Sequence, residues 1–268
     1  MIEKKLEKLK EIFQGMGKVV VAYSGGVDST LLLRVAKDAL GSENVLAVTA
    51  LSPLYPEREL EEAKTLTRAL GVSHLLIESN ELGIAGFSSN PPNRCYYCKK
   101  KLFEELRSVA KKEGFSFVVE GSTLDDEADY RPGRVAVQEL GIRSPLKEAQ
   151  FRKEDVRELS KILGLTTWDK PSFACLASRF PYGDEITEVG LKMVDEAENF
   201  LFGLGFKQVR VRHYQNLARI EVYPEEMGRL MNGSTREKVV RELRRIGYQY
   251  VTLDLQGFRS GSMNEVLE

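Results

Sequence analysis

Ser24-Gly25-Gly26-Val27-Asp28-Ser29-Thr30 follows directly on an apolar, β-forming run, Val19 to Tyr23, and leads into a helical pattern that reaches Leu40. A strand that enters a glycine turn and then a helix makes a cradle for phosphate. Backbone N–H groups of the turn converge on an anion, and the positive end of the helix dipole faces the same point. Gly25 and Gly26 permit left-handed angles and close backbone approach. Ser24, Ser29 and Thr30 add hydroxyl donors. Asp28 would repel phosphate without a cation between them, which points to Mg²⁺.

The loop is not a Walker loop, because GxxxxGK[ST] is absent, and it carries no GxGxxG dinucleotide fingerprint. It resembles the SGGxDS signature of the PP-loop ATP pyrophosphatase superfamily. That resemblance implies cleavage of ATP between its α and β phosphates, with Ser24, Gly25, Gly26, Asp28, Ser29 and Thr30 holding ATP and the leaving pyrophosphate.

The chain has three cysteines. Cys95 and Cys98 form a CxxC at the start of a helical pattern, followed by Lys99, Lys100 and Lys101, and Cys175 stands alone in the poorly periodic stretch Lys170–Gly183. A helix N-terminus beside lysines favours thiolate. Such an arrangement points to metal or redox chemistry rather than a structural disulfide. Three readings stand side by side. A CxxC pair with a distant third cysteine is a tridentate set for a [4Fe–4S] cluster with one iron left open. Structural zinc wants four protein ligands, and neither histidine, His74 or His213, has motif spacing to the cysteines. The third reading is thiols alone, as small buried hydrophobes or a reversible disulfide.

Arg210 and Arg212 alternate on a predicted strand and so share a face, where guanidinium forks match phosphate; a solvated strand face is the alternative. Arg179, four residues past Cys175, suits phosphate binding or support of the loop. The acidic run Asp125, Asp126, Glu127 and Asp129 follows a strand end, as a solvated turn or as ligands for Mg²⁺ or a ribose. Trp168 reads as a packing residue, and His74 and His213 as structural.

The elements that must position these residues follow from periodicity. Strands are expected at Val19–Tyr23, Val45–Thr49, His74–Glu78 and Phe117–Glu120, with a short one near Arg143. Helices are expected at Ser29–Leu40, Pro56–Leu70, Tyr96–Glu113, Pro132–Leu140 and Lys153–Leu163. This alternation predicts an α/β fold with a parallel sheet covered by helices, whose ligands sit beyond the carboxyl ends of the strands. After Trp168 the order is helix (Ile186–Phe202), strands (Gln208–His213, Ala218–Tyr223), helices (Pro224–Met231, Thr235–Ile246) and strand (Tyr250–Asp254). That order predicts a smaller C-terminal α+β domain with an antiparallel sheet. The expected division is residues 1–170, an interdomain loop 171–183 carrying Cys175, and 184–268.

With 268 residues, 42% hydrophobic and 29% charged, the composition is that of a globular protein with a core of its own. A net charge of −1 gives no bulk attraction to nucleic acid or membrane. No apolar run has the length of a membrane span, and the charged amphipathic N-terminus is not a signal peptide, so a cytoplasmic location is expected.

Beyond the loop, CYYCKKKLF, STLDDEADYRPG (Ser122 to Gly133), KPSFACLASRFPYG, VRVRHY, ARIEV and DLQGFRSGSMNE together resemble the LarE family, from about residue 15 to 265. The resemblance implies a PP-loop domain of the adenine nucleotide alpha hydrolase-like type. It implies an ATP-dependent sulfurtransferase acting on a pyridinium dicarboxylate mononucleotide, in biosynthesis of the nickel-pincer nucleotide of lactate racemase. ATP adenylates each carboxylate, and sulfur displaces AMP to leave a thiocarboxylate. In the single-cysteine branch, the cysteine matching Cys175 is consumed as the sulfur donor. The additional Cys95 and Cys98 resemble the three-cysteine branch, in which Cys95, Cys98 and Cys175 hold a [4Fe–4S] cluster loaded with sulfide by an unidentified donor. The catalytic residues so implied are Asp28 and Cys175, with ATP, Mg²⁺ and the cluster as cofactors. Arg210 and Arg212 would meet the substrate phosphate, with Arg179, Glu127 and Tyr96 in the substrate site and Tyr96 stacking on the pyridinium ring or covering the cluster. The family also implies a homo-oligomer assembled through the C-terminal domain. The rivals are a cluster-dependent tRNA-thiolating PP-loop enzyme, which lacks its basic tract here, and an amide-forming PP-loop ligase, which has no use for the cysteines.

Overall fold

Val19, Val20 and Val21 are fully buried, and successive side chains of a strand face opposite ways, so β1 (Val19–Ala22) must lie between two apolar layers. In the computed structural model, which describes residues 2–127, 132–171 and 173–267, those layers are helical. On one face Val19 and Val21 join Leu9 and Phe13 of α1 (Ile2–Met16), Leu31 and Val35 of α2 (Val27–Leu40), and Val156 and Leu159 of α7 (Lys153–Ile162). On the other, Val20 meets Phe103, Leu106 and Ala110 of α4 (Arg94–Glu113) and Val137 of α5 (Gly133–Glu139).

The chain divides into two compact units. Met1–Ser79 and Asn93–Phe173 make unit 1, and Asn80–Pro92 with Ala174–Glu268 make unit 2. The sheet of unit 1 is parallel, with β3 (Ser73–Glu78), β2 (Val45–Leu51), β1 and β4 (Phe117–Val119) in that spatial order. α3 (Glu57–Leu70) connects β2 to β3, and α4 leads into β4 on the far side of β1. The strand order reverses between β1 and β4, the point at which such sheets bind ligands. The strand expected near Arg143 is a single parallel bridge from Arg143 to Val119, and α6 (Pro145–Glu148) follows it.

Boundaries shift where it matters. α2 starts at Val27, so Asp28 and Ser29 stand in its first turn. α4 starts at Arg94, so Cys95 stands in its first turn and Cys98 at the start of its second.

Unit 2 has the α+β order expected, with α8 (Glu188–Gly203), β5 (Val209–Tyr214), β6 (Leu217–Val222), α9 (Met227–Met231), α10 (Gly233–Ile246) and β7 (Tyr250–Leu253). Its sheet, β5-β6-β7, is mixed rather than antiparallel. β5 and β6 form an antiparallel hairpin, but β7 pairs with β6 in parallel. The reason is the connection: α9 and α10 carry the chain back to its starting end before β7 begins, as a crossover must. Among the described residues no helix is long and apolar enough to cross a membrane.

Phe13, fully buried, ties α1 to the sheet. Phe13→Ala is expected to lower unfolding free energy by about 3–5 kcal/mol, read by urea denaturation.

Candidate active site

The glycine turn in unit 1 is held open by its own hydroxyls. The Ser29 hydroxyl donates to the Gly26 carbonyl (3.2 Å) and accepts from the Ser24 N–H (3.3 Å). Ser24 Oγ lies 3.1 Å from Ser29 Oγ and accepts from the Gly26 N–H at 3.4 Å. Gly25 has φ +70°, and a Cβ there would stand 3.1 Å from the Ala63 Cβ of α3, so both the angle and the space call for glycine. Gly26 caps α2 with no side-chain hydrogen bond, which leaves the first-turn amides aimed past the helix end, where an anion fits. Thr30 is fully buried, with its hydroxyl 3.2 Å from Tyr23 OH.

Across the switch point, Gly121 follows β4 so closely that a Cβ would stand 3.2 Å from the Ser29 nitrogen. This brings the acidic run to the turn. Lys153 Nζ lies 3.0 Å from Asp28 Oδ2 and 3.4 Å from Asp126 Oδ1. Burial raises the Asp28 pKa, and the Lys153 charge only partly opposes it. Two carboxylates that share one ammonium suit a divalent cation, so Asp28 and Asp126 fit Mg²⁺. Asp125 faces the start of α7. Its Oδ2 accepts the Lys153 N–H at 2.7 Å and so caps α7. The Glu127 side chain and residues 128–131 lie outside the described residues. Beside this end of β4 is a cavity of ≈ 460 Å³ lined by Glu120, Ser122, Thr123, Asp126, Arg134 and Lys147, among others.

A second lysine also reaches the turn. Lys170 Nζ donates to the Gly25 carbonyl at 3.2 Å and pairs with Glu59 (2.8 Å) and Glu62 (2.7 Å) of α3. Lys153 belongs to no motif singled out in the sequence, and Lys170, which opens the KPSFACLASRFPYG stretch, has no role assigned there.

Cys95 and Cys98 are half-buried and stand one helical turn apart on α4. Tyr96 donates its hydroxyl to Glu139 of α5 (2.8 Å) and stands edge-on to Tyr97. Cys175, also half-buried, belongs to unit 2. Soft cysteine sulfurs at a helix start match the donor chemistry of an iron–sulfur cluster. Among the described residues no three Cys, His, Asp or Glu side chains form a metal-binding group.

The Cys175 loop is held by an arginine. Arg179 is fully buried, forks onto Glu198 of α8 (both 2.9 Å), and donates to the carbonyls of Ala174 (2.6 Å) and Cys175 (3.0 Å). Arg210 and Arg212 share a face of β5 and are both buried. Arg212 forks onto Glu221 (2.9 and 2.7 Å) and donates to the Ser178 carbonyl (2.9 Å). Arg210 donates to the Val209 carbonyl at 2.8 Å. Burial, then the neighbouring Arg179 charge, lowers its pKa to about 9. Among the described residues three buried arginines thus share two buried glutamates, a surroundings that favours an anion. His74, between Thr67 and Thr49, and His213, against Tyr248, both serve structure.

Burial raises the Glu198 pKa, but Arg179, Arg210 and the Val211 N–H outweigh it and hold the carboxyl below its ordinary value. Stability from this group is therefore present above the ordinary carboxylate pKa and is lost as pH falls through the lower folded value. Glu198→Gln is expected to cost about 3–5 kcal/mol near neutrality and to flatten the acid dependence. Hydrogen exchange of α8 and β5 between neutral and acid pH reads both effects.

The sequence profile of the NAD synthase family matches residues 1–93, the stretch that carries the glycine turn. Over 267 residues the chain is 46% identical to an uncharacterized protein of Synechocystis sp., covering 100% of this chain and 99% of the other. Over 250 residues it is 43% identical to the pyridinium-3,5-bisthiocarboxylic acid mononucleotide synthase of Lactiplantibacillus plantarum, covering 93% and 90%. A GMP synthase of Aeropyrum pernix is 28% identical over 190 residues, 64% of this chain and 36% of that one. With a PP-loop at the switch point of its parallel sheet and that degree of identity along nearly its whole length, the chain is an ATP-dependent enzyme and belongs to the LarE family.

Proposed function

We propose that the protein adenylates the carboxylates of a pyridinium dicarboxylate mononucleotide and inserts sulfur to give thiocarboxylates, as a step in making a nickel-pincer nucleotide. The observation that carries this reading is the 43% identity over 250 residues to a synthase named for the bisthiocarboxylic mononucleotide. The chain's three cysteines, Cys95, Cys98 and Cys175, support sulfur, rather than nitrogen, as the second nucleophile.

In the first step a substrate carboxylate oxygen attacks the α-phosphorus of ATP, and the bond to the bridging oxygen breaks. Pyrophosphate leaves into the Ser24–Thr30 turn, where the uncapped first-turn amides of α2 would meet it and the Ser24 and Ser29 hydroxyls, now bonded to each other, would turn toward it. Asp28 and Asp126 would hold Mg²⁺, which when bound offsets phosphate charge. Lys153 would then be released from the two carboxylates and turn toward phosphate. In the second step sulfur attacks the acyl carbon of the adenylate and AMP departs with the bonding pair. Arg210 and Arg212 would hold the nucleotide phosphate, and Arg179 would support the Cys175 backbone. Tyr96 would line the substrate site near the CxxC turn.

Cys95, Cys98 and Cys175 would hold a [4Fe–4S] cluster, which when bound supplies an open iron to carry a transferable sulfide. Anaerobic reconstitution with iron and sulfide is expected to load about four irons per chain, lost on replacing any one cysteine by alanine. With ATP and the dicarboxylate mononucleotide, AMP and pyrophosphate are expected rather than ADP. Asp28→Asn is expected to slow their release about 10²–10³-fold. Amide formation from ammonia that persists in Cys175→Ala would overturn the sulfur reading, and salt-sensitive tRNA binding with tRNA thiolation would replace the substrate.

A further inference from the structure

Arg210 and Arg212 are 4% and 5% exposed, so a phosphate cannot reach their guanidinium groups until something moves. The covering groups come from the C-terminal segment. The Phe258 ring lies over the Arg210 guanidinium at 5.3 Å. Ser262, itself buried, accepts from Arg212 Nη2 at 2.8 Å and donates to Glu221 Oε1 at 3.4 Å. Its oxygen therefore occupies a donor of Arg212 that an anion oxygen would use.

The rest of the segment is fastened lightly. Phe258 N–H bonds the Val222 carbonyl (2.8 Å), and Tyr182 donates to Asn264 Oδ1 (2.9 Å). Arg259 pairs with Glu265 at 3.1 Å on the surface, where such pairs contribute little. Gly261 (φ +80°), with open space around it, gives the backbone freedom beyond Phe258, whereas Gly257 (φ +71°) packs closely on the Val222 carbonyl and marks where the segment stays anchored. Among the described residues the side-chain ties of 259–265 to the rest of unit 2 are polar: Ser262 to Arg212 and Glu221, Asn264 to Tyr182, Arg259 to Asp254 (3.8 Å) and Met263 to Arg219 (3.9 Å).

We propose that Gly257–Leu267 is a lid on the arginine site, with Phe258 and Ser262 standing on the guanidinium groups that the nucleotide phosphate takes over when the lid opens. The proposal rests on the reading of Arg210 and Arg212 as the phosphate site. The affinity of the site is then reduced by the fraction of time the lid is closed, and weakening the lid raises affinity.

The test titrates the full chain with a pyridine mononucleotide and with its dephosphorylated nucleoside, and follows hydrogen exchange of residues 257–267. The lid predicts faster exchange in that segment when the mononucleotide binds, and no change with the nucleoside. Ser262→Ala, which removes one hydrogen bond from the closed state, is expected to bind the mononucleotide about fivefold tighter, and Phe258→Leu to shift in the same direction. Unchanged or slowed exchange, with unchanged affinity in both variants while Arg212→Met weakens binding, would overturn the lid and leave the arginine site standing. Arg212→Met that binds the mononucleotide as well as the wild type would overturn the arginine site and the lid with it.

Discussion

A strand buried on both faces has only its ends to offer to chemistry, and this constraint shapes unit 1. Val19, Val20 and Val21 are committed to two helical layers, so β1 can present a ligand site only where it stops. It stops at Ala22, and α2 begins after the four residues Tyr23 to Gly26. The short distance from sheet to helix leaves no room for side chains at Gly25, where Ala63 closes in, or at Gly121, where the end of β4 abuts Asp28 and Ser29. The anion cradle is what remains of the backbone once those approaches are made.

Charge balance is the corresponding constraint in unit 2. Arginines inside a protein are costly unless paired, and here they are paired with Glu198 and Glu221, then covered by the C-terminal segment. The same groups hold neighbouring loops in place. Arg179 spends its fork on Glu198 and its remaining donors on the Cys175 loop, so the loop's position depends on a buried ion pair. Arg212 spends its fork on Glu221 and keeps one exchangeable partner, the Ser262 hydroxyl.

Residues close in sequence were readable in sequence. The turn at 24–30, the CxxC and the Arg210–Arg212 alternation each announce themselves by type and spacing, and each is found on the element expected. Residues that act from a distance were not. Lys153 reaches Asp28 across 125 positions and Lys170 reaches Gly25 across 145, and a lysine in a helix or loop looks like any solvated charge. Asp125 and Asp126 could not be told apart, because the turn that sends one to the α7 N-terminus and the other to Asp28 is a matter of single-residue geometry. The direction of β7 was missed for a related reason. Periodicity shows that a strand exists, but the helices before it decide which way it runs.

The central claim is that ATP activates a carboxyl group and that the three cysteines together handle the sulfur that replaces oxygen. The direct measurement is the mass of the Cys175 peptide after turnover with ATP, the dicarboxylate mononucleotide and a sulfide source, in protein reconstituted with iron. The account predicts an intact Cys175 after several sulfurs have been transferred per chain. Loss of ~34 Da at Cys175, the mass of H₂S, with turnover stopping after one transfer per chain, would contradict it.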